Sequence, residues 1–187
     1  MRVLTSLSRR VALPLLLVSL LAAAAVAQEE QLGEEAAKRL QTQAEESGRA
    51  FLEGDYERLA DYTYPKLVEL IGGREKLIEV VRKSVEGMKA EGLQPLSSAP
   101  SAPTQVLRAG RQTYAIVPLK FKMRAPGQVL VSDSFMIAVS DDGGKNWKFL
   151  SGASVDEARL KILLPDAAGK LKLPTVRHST EPLPAAP

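Results

Sequence analysis

The segments TYAIVPLKFKM (residues 113–123), VLVSDSFMIAVS (129–140) and NWKFLS (146–151) decide the fold of this chain. In each segment apolar and polar residues alternate, which is the period of a β-strand with one buried face. Turn-forming residues separate the segments, namely Ala-Pro-Gly at 125–127 and Asp-Asp-Gly-Gly at 141–144. The pattern therefore predicts a three-stranded antiparallel meander.

Residues before the meander repeat with the period of helices instead. Apolar residues at spacings of three and four, ended by glycines, predict four helices, over 33–53, 55–62, 65–71 and 74–90. The proline-containing segment 93–105 predicts an edge strand or an irregular crossover, and 106–109 a further strand. A capping-box pattern at 154–157 predicts a short C-terminal helix. Together these elements predict an α+β fold, with N-terminal helices packed on a curved antiparallel sheet.

The N-terminus has the pattern of a targeting segment. Arg2, Arg9 and Arg10 precede an apolar run at 11–26, which ends in small residues before Gln28. We predict a secretory signal peptide, residues 1–27, cleaved after Ala27, and hence an exported protein, periplasmic or extracellular. Two alternatives stay open: an uncleaved membrane anchor, and twin-arginine instead of Sec export. No Cys follows the run, which excludes a lipid-anchored cysteine.

Composition limits the partners of the mature chain. The full chain has 25 Lys and Arg against 22 Asp and Glu, and the predicted signal peptide holds three of the arginines, which leaves 22 against 22. We therefore expect no nucleic acid partner, and membrane contact only during export. Without Cys, the fold has to depend on its core. We predict a linker at 28–33, one domain at 34–165 and a proline-rich, mostly disordered tail at 166–187.

The run FLEGDYERLADYTYPKLVELIGGREKLIEVV (51–81) resembles the helical front of the nuclear transport factor two-like superfamily, also called SnoaL-like. Phe51, Gly54, Asp55 and Leu59 match its junction between the first two helices. The resemblance covers residues 34–165 and implies a cone-shaped α+β domain, similar to uncharacterised secreted bacterial members. The helix predicted at 65–71 replaces a short strand that the superfamily has there, which leaves open whether its usual cavity is deep.

Residues 140–147, Ser-Asp-Asp-Gly-Gly-Lys-Asn-Trp, resemble the Asp-box hairpin S-x-D-x-G-x-x-W of sialidases. The resemblance implies a structural turn formed by Ser140, Asp142, Gly144 and Trp147, in which the Asp bonds the turn backbone and the Trp packs beneath it. A cation or glycan contact is the alternative. A single copy in a chain of this length does not make a propeller.

One acid breaks the apolar face of the strand at 129–139. Asp133 has Phe135 and other apolar residues at the neighbouring odd positions, so it is expected to be buried or to line a cavity, unless a bulge carries it to solvent. Enzymes of the cone fold use a sheet carboxylate as general base and a helix tyrosine as donor. The resemblance thus implies that Asp133 pairs with Tyr62 or Tyr64. The predicted ligand-cavity residues are Tyr62, Tyr64, Asp133 and Phe135.

Three functions remain in competition. The first is a non-enzymatic binding or accessory module for a small apolar ligand or a protein partner. The second is a cofactor-free isomerase or cyclase with Asp133 as the weak candidate for the catalytic base, a hypothesis that fails if Asp133 lies in solvent. The third is a homodimer formed through an open sheet face, with Tyr114, Ile116, Pro118, Met136 and Ala138. No cofactor and no metal site is expected, since His178, the single histidine, lies in the tail.

Overall fold

A computed structural model describes residues 31–183 of the chain. The predicted signal peptide and residues 28–30 of the linker lie outside the described residues. The predicted α+β class is confirmed, because helices accompany a curled antiparallel sheet. The helices are α1 Glu34–Glu53, α2 Tyr56–Tyr62, α3 Pro65–Ile71, α4 Arg74–Ala90 and α5 Glu157–Leu163. The strands are β1 Gln94–Pro100, β2 Gln105–Ala109, β3 Gln112–Ala125, β4 Gln128–Ser140, β5 Lys148–Ser151 and β6 Arg177–Pro182.

β3 and β4 form the centre of the sheet. β1 and β2 both pair with β3 on one side, and β5 and β6 both pair with β4 on the other, all antiparallel. β5 ends opposite Met136, and β6 begins opposite Asp133. In the described part of the chain, Ser134 and Phe135 therefore have no strand partner on that side. We call this interruption the β5–β6 break.

Both faces of the sheet are covered around the middle of β3 and β4. The inner face carries Met136 and Ala138, which pack with residues of α1 such as Leu40. The outer face carries Phe135 and Ile137, which pack with α5 and the segment after it. Because successive side chains of a strand point to opposite faces, these two cores alternate along β4.

The helices enclose the inner face in two layers. α1 lies directly against β1, and a Cβ atom on Gly48 would be 2.5 Å from Ser98 Oγ, so the glycine permits this close approach. α2 is tied to the sheet because Thr63 forms a single parallel bridge with Phe149. α4 packs on α2 and α3 through a small cluster of its own, made of Ala60, Leu77 and Ile78 with partly buried neighbours.

The structure corrects the predicted disordered tail. Ala167 and Leu171 are buried in the outer-face core, and β6 extends the sheet beside β4. Every residue of β6 is exposed. Its sequence, RHSTEP, therefore lacks the alternation of apolar and polar residues from which a strand could be predicted. Backbone pairing with β4 orders this segment instead.

Two smaller predictions also change. The prediction of an open apolar sheet face is wrong. The residues assigned to it lie on both faces of the sheet, and all except Pro118 are buried. The C-terminal helix begins after Asp156, whose carboxylate accepts a hydrogen bond from the Arg159 N–H at 2.8 Å, and not at Ser154. Asp156 is the better cap because it has the extended backbone conformation that precedes a helix.

The turn between β4 and β5 is held by the Asp142 carboxylate. It accepts hydrogen bonds from the backbone N–H groups of Lys145 and Asn146, both at 3.0 Å, and from the Asn146 side chain at 2.7 Å. Ser140 Oγ donates to the same carboxylate and accepts from the Gly144 N–H. Burial acts to raise the pKa of Asp142, but these hydrogen bonds outweigh it and lower the pKa to about 2.

Trp147 fixes this turn to the rest of the domain. Its ring is fully buried in the inner-face core, and its indole N–H donates to the Gly144 carbonyl at 3.1 Å. Gln43 of α1 accepts from the Trp147 backbone N–H at 2.7 Å and donates to the Lys145 carbonyl at 2.9 Å. The turn is thus a docking point for α1.

We expect Asp142→Ala to lower the free energy of unfolding by about 2 kcal/mol at pH 7, because several backbone donors lose their acceptor. The folded-state pKa lies below the ordinary value of 3.8. The charge-dependent stabilisation is therefore complete above about pH 5 and is lost as the pH falls towards 2. Urea unfolding from pH 7 to pH 2.5 should show the difference from wild type shrinking. Asp141→Ala is the control, with little change at any pH, and a pH-independent difference would contradict the prediction.

Close packing of Phe135 on Gly152 gives a second prediction. A Cβ atom on Gly152 would lie 2.4 Å from the Phe135 ring, so Gly152→Ala should lower the free energy of unfolding by about 1–3 kcal/mol. Gly87→Ala is the matched control, since no atom lies within 4 Å of that Cβ on α4. It should raise stability by up to about 1 kcal/mol. Equal urea midpoints for the two variants would disprove the packing argument.

Candidate functional site

A cavity of about 360 Å³ lies between the inner face of the sheet and helices α1, α2 and α4. Leu119 and Phe121 of β3 line its floor, and Leu77 and Val81 of α4 line the opposite side. Phe51 of α1 packs edge-on against Phe121, with 5.8 Å between ring centroids. The volume and the apolar walls fall within the range found for small-molecule pockets in proteins.

Hydroxyl groups supply the polar side chains of the cavity. Among the described residues that line it, none carries a charged side chain. Tyr62 and Thr63 use their hydroxyls within the protein, to Glu46 and to the Leu59 carbonyl. The five serines form no hydrogen bond through their hydroxyls to any other described residue, and none of these oxygens is fully buried. They are Ser47, Ser98, Ser132, Ser134 and Ser151.

The cavity opens beside the β5–β6 break. Of its lining residues, only Ser151 and Ala153 are exposed, and Ser132 and Ser134, which are half-buried as many of the others are, lie next to the break. Ser134 is one of the two β4 residues without a partner at the break. Ser132 and Ser134 lie two positions apart on the same face, and therefore roughly 7 Å apart along the strand. We call this opening, lined by Ser132, Ser134, Ser151 and Ala153, the mouth.

The Tyr62 side chain lies in the cavity wall, where its ring packs against Phe149 at 6.3 Å between centroids. Its hydroxyl donates to Glu46, which also forms an ion pair with Arg58 at 3.3 Å. Burial raises the pKa of Tyr62, and the hydrogen bond to Glu46 raises it further. The same hydrogen bond lowers the pKa of Glu46. Because the Tyr62 proton is already held by a carboxylate, the ring, and not the hydroxyl, is what the cavity can use.

The other three predicted cavity residues lie elsewhere. Tyr64 packs against the outer-face core, and Phe135 belongs to that core with 2% of its surface exposed. The Asp133 side chain is 56% exposed and forms an ion pair with Lys120 at 3.6 Å. A cavity position was the wrong prediction for Asp133 and Phe135, because odd-numbered residues of β4 point to the outer face, and for Tyr64, because the N-terminus of α3 places it against the outer-face core. On this face Asp133 lies between Phe135 and Val131, which are both buried, but its own side chain reaches solvent.

Sequence reasoning missed the position of His178. This residue pairs with Ser132, so its exposed side chain lies on the inner face at the rim of the mouth. The serines themselves carried a signal, because Ser132 and Ser134 break the apolar pattern of the even positions of β4. The two serines indicate a cavity only when the strand register is known, because the register places the even positions of β4 on the inner face, beneath α1.

Other classes of site find little support. Within residues 31–183, no three His, Asp or Glu side chains lie close enough together to hold a metal ion. The same residues include no helix with the length and apolarity needed to cross a membrane. Comparison with family models, curated proteins and solved structures found no significant match to this chain. The cavity is therefore interpreted from its own geometry.

We expect Tyr62→Phe to lower the free energy of unfolding by about 1 kcal/mol at pH 7, because Glu46 loses a hydrogen-bond donor. The ring remains, so the apolar wall should be unchanged. Tyr56→Phe serves as the matched control: it removes a half-buried tyrosine hydroxyl that makes no hydrogen bond to a described residue, and should change stability by less than about 0.5 kcal/mol. Paired urea titrations measure both. Equal losses would show that the Tyr62–Glu46 contact contributes nothing specific.

Proposed function

We propose that this protein is a non-enzymatic binding module that holds a small, uncharged, mainly apolar molecule in the cavity. The observation that carries the proposal is the lining, which combines aliphatic and aromatic walls with free hydroxyls and no charged side chain. Transfer of an ionised group into such a space is unfavourable without a partner charge, so the lining favours a neutral ligand.

The arrangement argues against the competing hypotheses in different ways. The isomerase or cyclase hypothesis needs a general base in the cavity, and its candidate Asp133 is in solvent with Lys120. The dimer hypothesis needs an exposed apolar sheet face, and the residues assigned to that face, except Pro118, are buried within the domain itself. Binding of a small molecule is the function that uses the apolar cavity of this fold.

We also propose, from the sequence, where the protein acts and to which superfamily it belongs. The arginines and the apolar run at the N-terminus support export, so the ligand would be met outside the cytoplasm. Helices that enclose one face of a curled sheet, with a cavity between, are compatible with the cone-shaped architecture of the nuclear transport factor two-like superfamily. Membership in that superfamily remains a proposal based on the resemblance at 51–81.

The test is a fluorescence titration of the purified protein with N-phenyl-1-naphthylamine, a neutral apolar probe whose emission rises in apolar surroundings. We expect saturable binding, and at least tenfold weaker binding by Ser132→Phe, because the new ring fills the cavity next to Phe121. Ser179→Phe is the matched control. It lies on the exposed outer face of β6, opposite Val131, and should bind as wild type does.

Thermal unfolding of both variants shows whether each is folded before its affinity is compared. Absence of saturable binding to the wild-type protein would overturn the proposal. Equal binding by the two folded variants would place the probe outside the cavity and would overturn it as well.

A further inference from the structure

Two serines of β4, Ser132 and Ser134, interrupt the apolar inner face where the cavity lies. Met136 and Ala138 are buried against α1, Ser134 and Ser132 follow, and Leu130 continues the face beyond them. Serine is not one of the β-branched or aromatic residues that strands favour, and it contributes little apolar contact. Two serines at successive inward positions of a central strand therefore need a reason other than packing.

Their hydroxyls lack partners within the described chain. A half-buried hydroxyl without a hydrogen bond is unfavourable in apolar surroundings, and most such groups in folded proteins are satisfied. Ser132 and Ser134 can be satisfied only from the cavity side, by solvent or by a ligand. Ser134 and Phe135 also lack a strand partner at the β5–β6 break, so the backbone N–H and C=O of one of these two residues face this gap.

Charged groups near the mouth lie on the other face of the sheet. Asp133, Lys120 and Arg177 share the outer face, opposite to the side chains of Ser132 and Ser134. His178 is the one titratable side chain that the strand pairing places on the inner face beside Ser132. The residues that line the mouth are therefore polar or small and carry no charge, whereas the interior is apolar.

We propose, on the basis of the proposed function, that the ligand is amphipathic. Its apolar body lies in the cavity, and its single neutral oxygen group, a hydroxyl or carbonyl, lies at the mouth. The hydroxyls of Ser132 and Ser134 bind that oxygen. The site thus takes neutral alcohols or ketones with an apolar skeleton in preference to the corresponding hydrocarbons and carboxylates.

The experiment displaces N-phenyl-1-naphthylamine with three molecules that share one skeleton, naphthalene, 2-naphthol and 2-naphthoate, at pH 8. The variant is Ser132→Ala/Ser134→Ala. The matched control is Ser97→Ala/Ser179→Ala, two serines of the outer face in the neighbouring cross-strand row. The measured quantity is the affinity for 2-naphthol divided by the affinity for naphthalene, which cancels any general change in the cavity.

We expect this ratio to fall about 3- to 10-fold in the inner-face variant, as the loss of one or two hydrogen bonds predicts, and to stay at the wild-type value in the control. We also expect 2-naphthoate to bind more weakly than 2-naphthol. An unchanged ratio would overturn the role of the serines. Tighter binding of 2-naphthoate would overturn the neutral class and indicate an anion held near His178.

Failure of this inference is distinguishable from failure of the proposed function. If the probe binds and naphthalene displaces it, but the affinity ratio is the same in the wild type and the inner-face variant, then the cavity binds ligands without recognising an oxygen group. If no probe binds the wild-type protein, the cavity is not a binding site, and both proposals are wrong.

Discussion

The pairing between β3 and β4 is the constraint on which the rest of the structure depends. It runs without interruption from Thr113 opposite Ser140 to Ala125 opposite Gln128. Because side chains alternate between faces, this register assigns each residue of both strands either to the core beneath α5 or to the core and cavity beneath α1. A slip by one position would exchange the two sets and place Ser132 and Ser134 under α5. The cavity exists only in the observed register.

Much of the fold could be predicted because its strongest signals are local. The meander has alternation with Gly-containing turns, and the helices have apolar stripes that end at glycines, so their bounds in the structure agree within a few residues. Prolines obscure β1, for which the sequence predicts either an edge strand or an irregular crossover. β6 has no signal of its own, since an exposed strand gains its order from the backbone of its neighbour.

The site was harder to predict because a packed core and a cavity wall have the same composition. Both faces of β4 are mainly apolar, so its one acid, Asp133, is the strongest signal for a site in the sequence, but Asp133 lies on the face opposite to the cavity. The resemblance to cone-fold proteins suggested Tyr62, which does lie in the wall, but also Tyr64, which does not. Whether an apolar face is filled or hollow depends on helix positions, and those depend on distant contacts such as Gly48 against Ser98.

The β5–β6 break also has a consequence for how the chain is made. The edge of β4 that β6 covers is complete long before β6 itself, because Arg177 follows Asp133 by 44 positions. At the rates of protein synthesis that edge waits roughly two to nine seconds for its partner. An unpaired strand edge is a template for aggregation, and a charged residue within it discourages wrong pairing. Asp133, which has no place in the cavity, is well situated to protect the nascent chain during this interval.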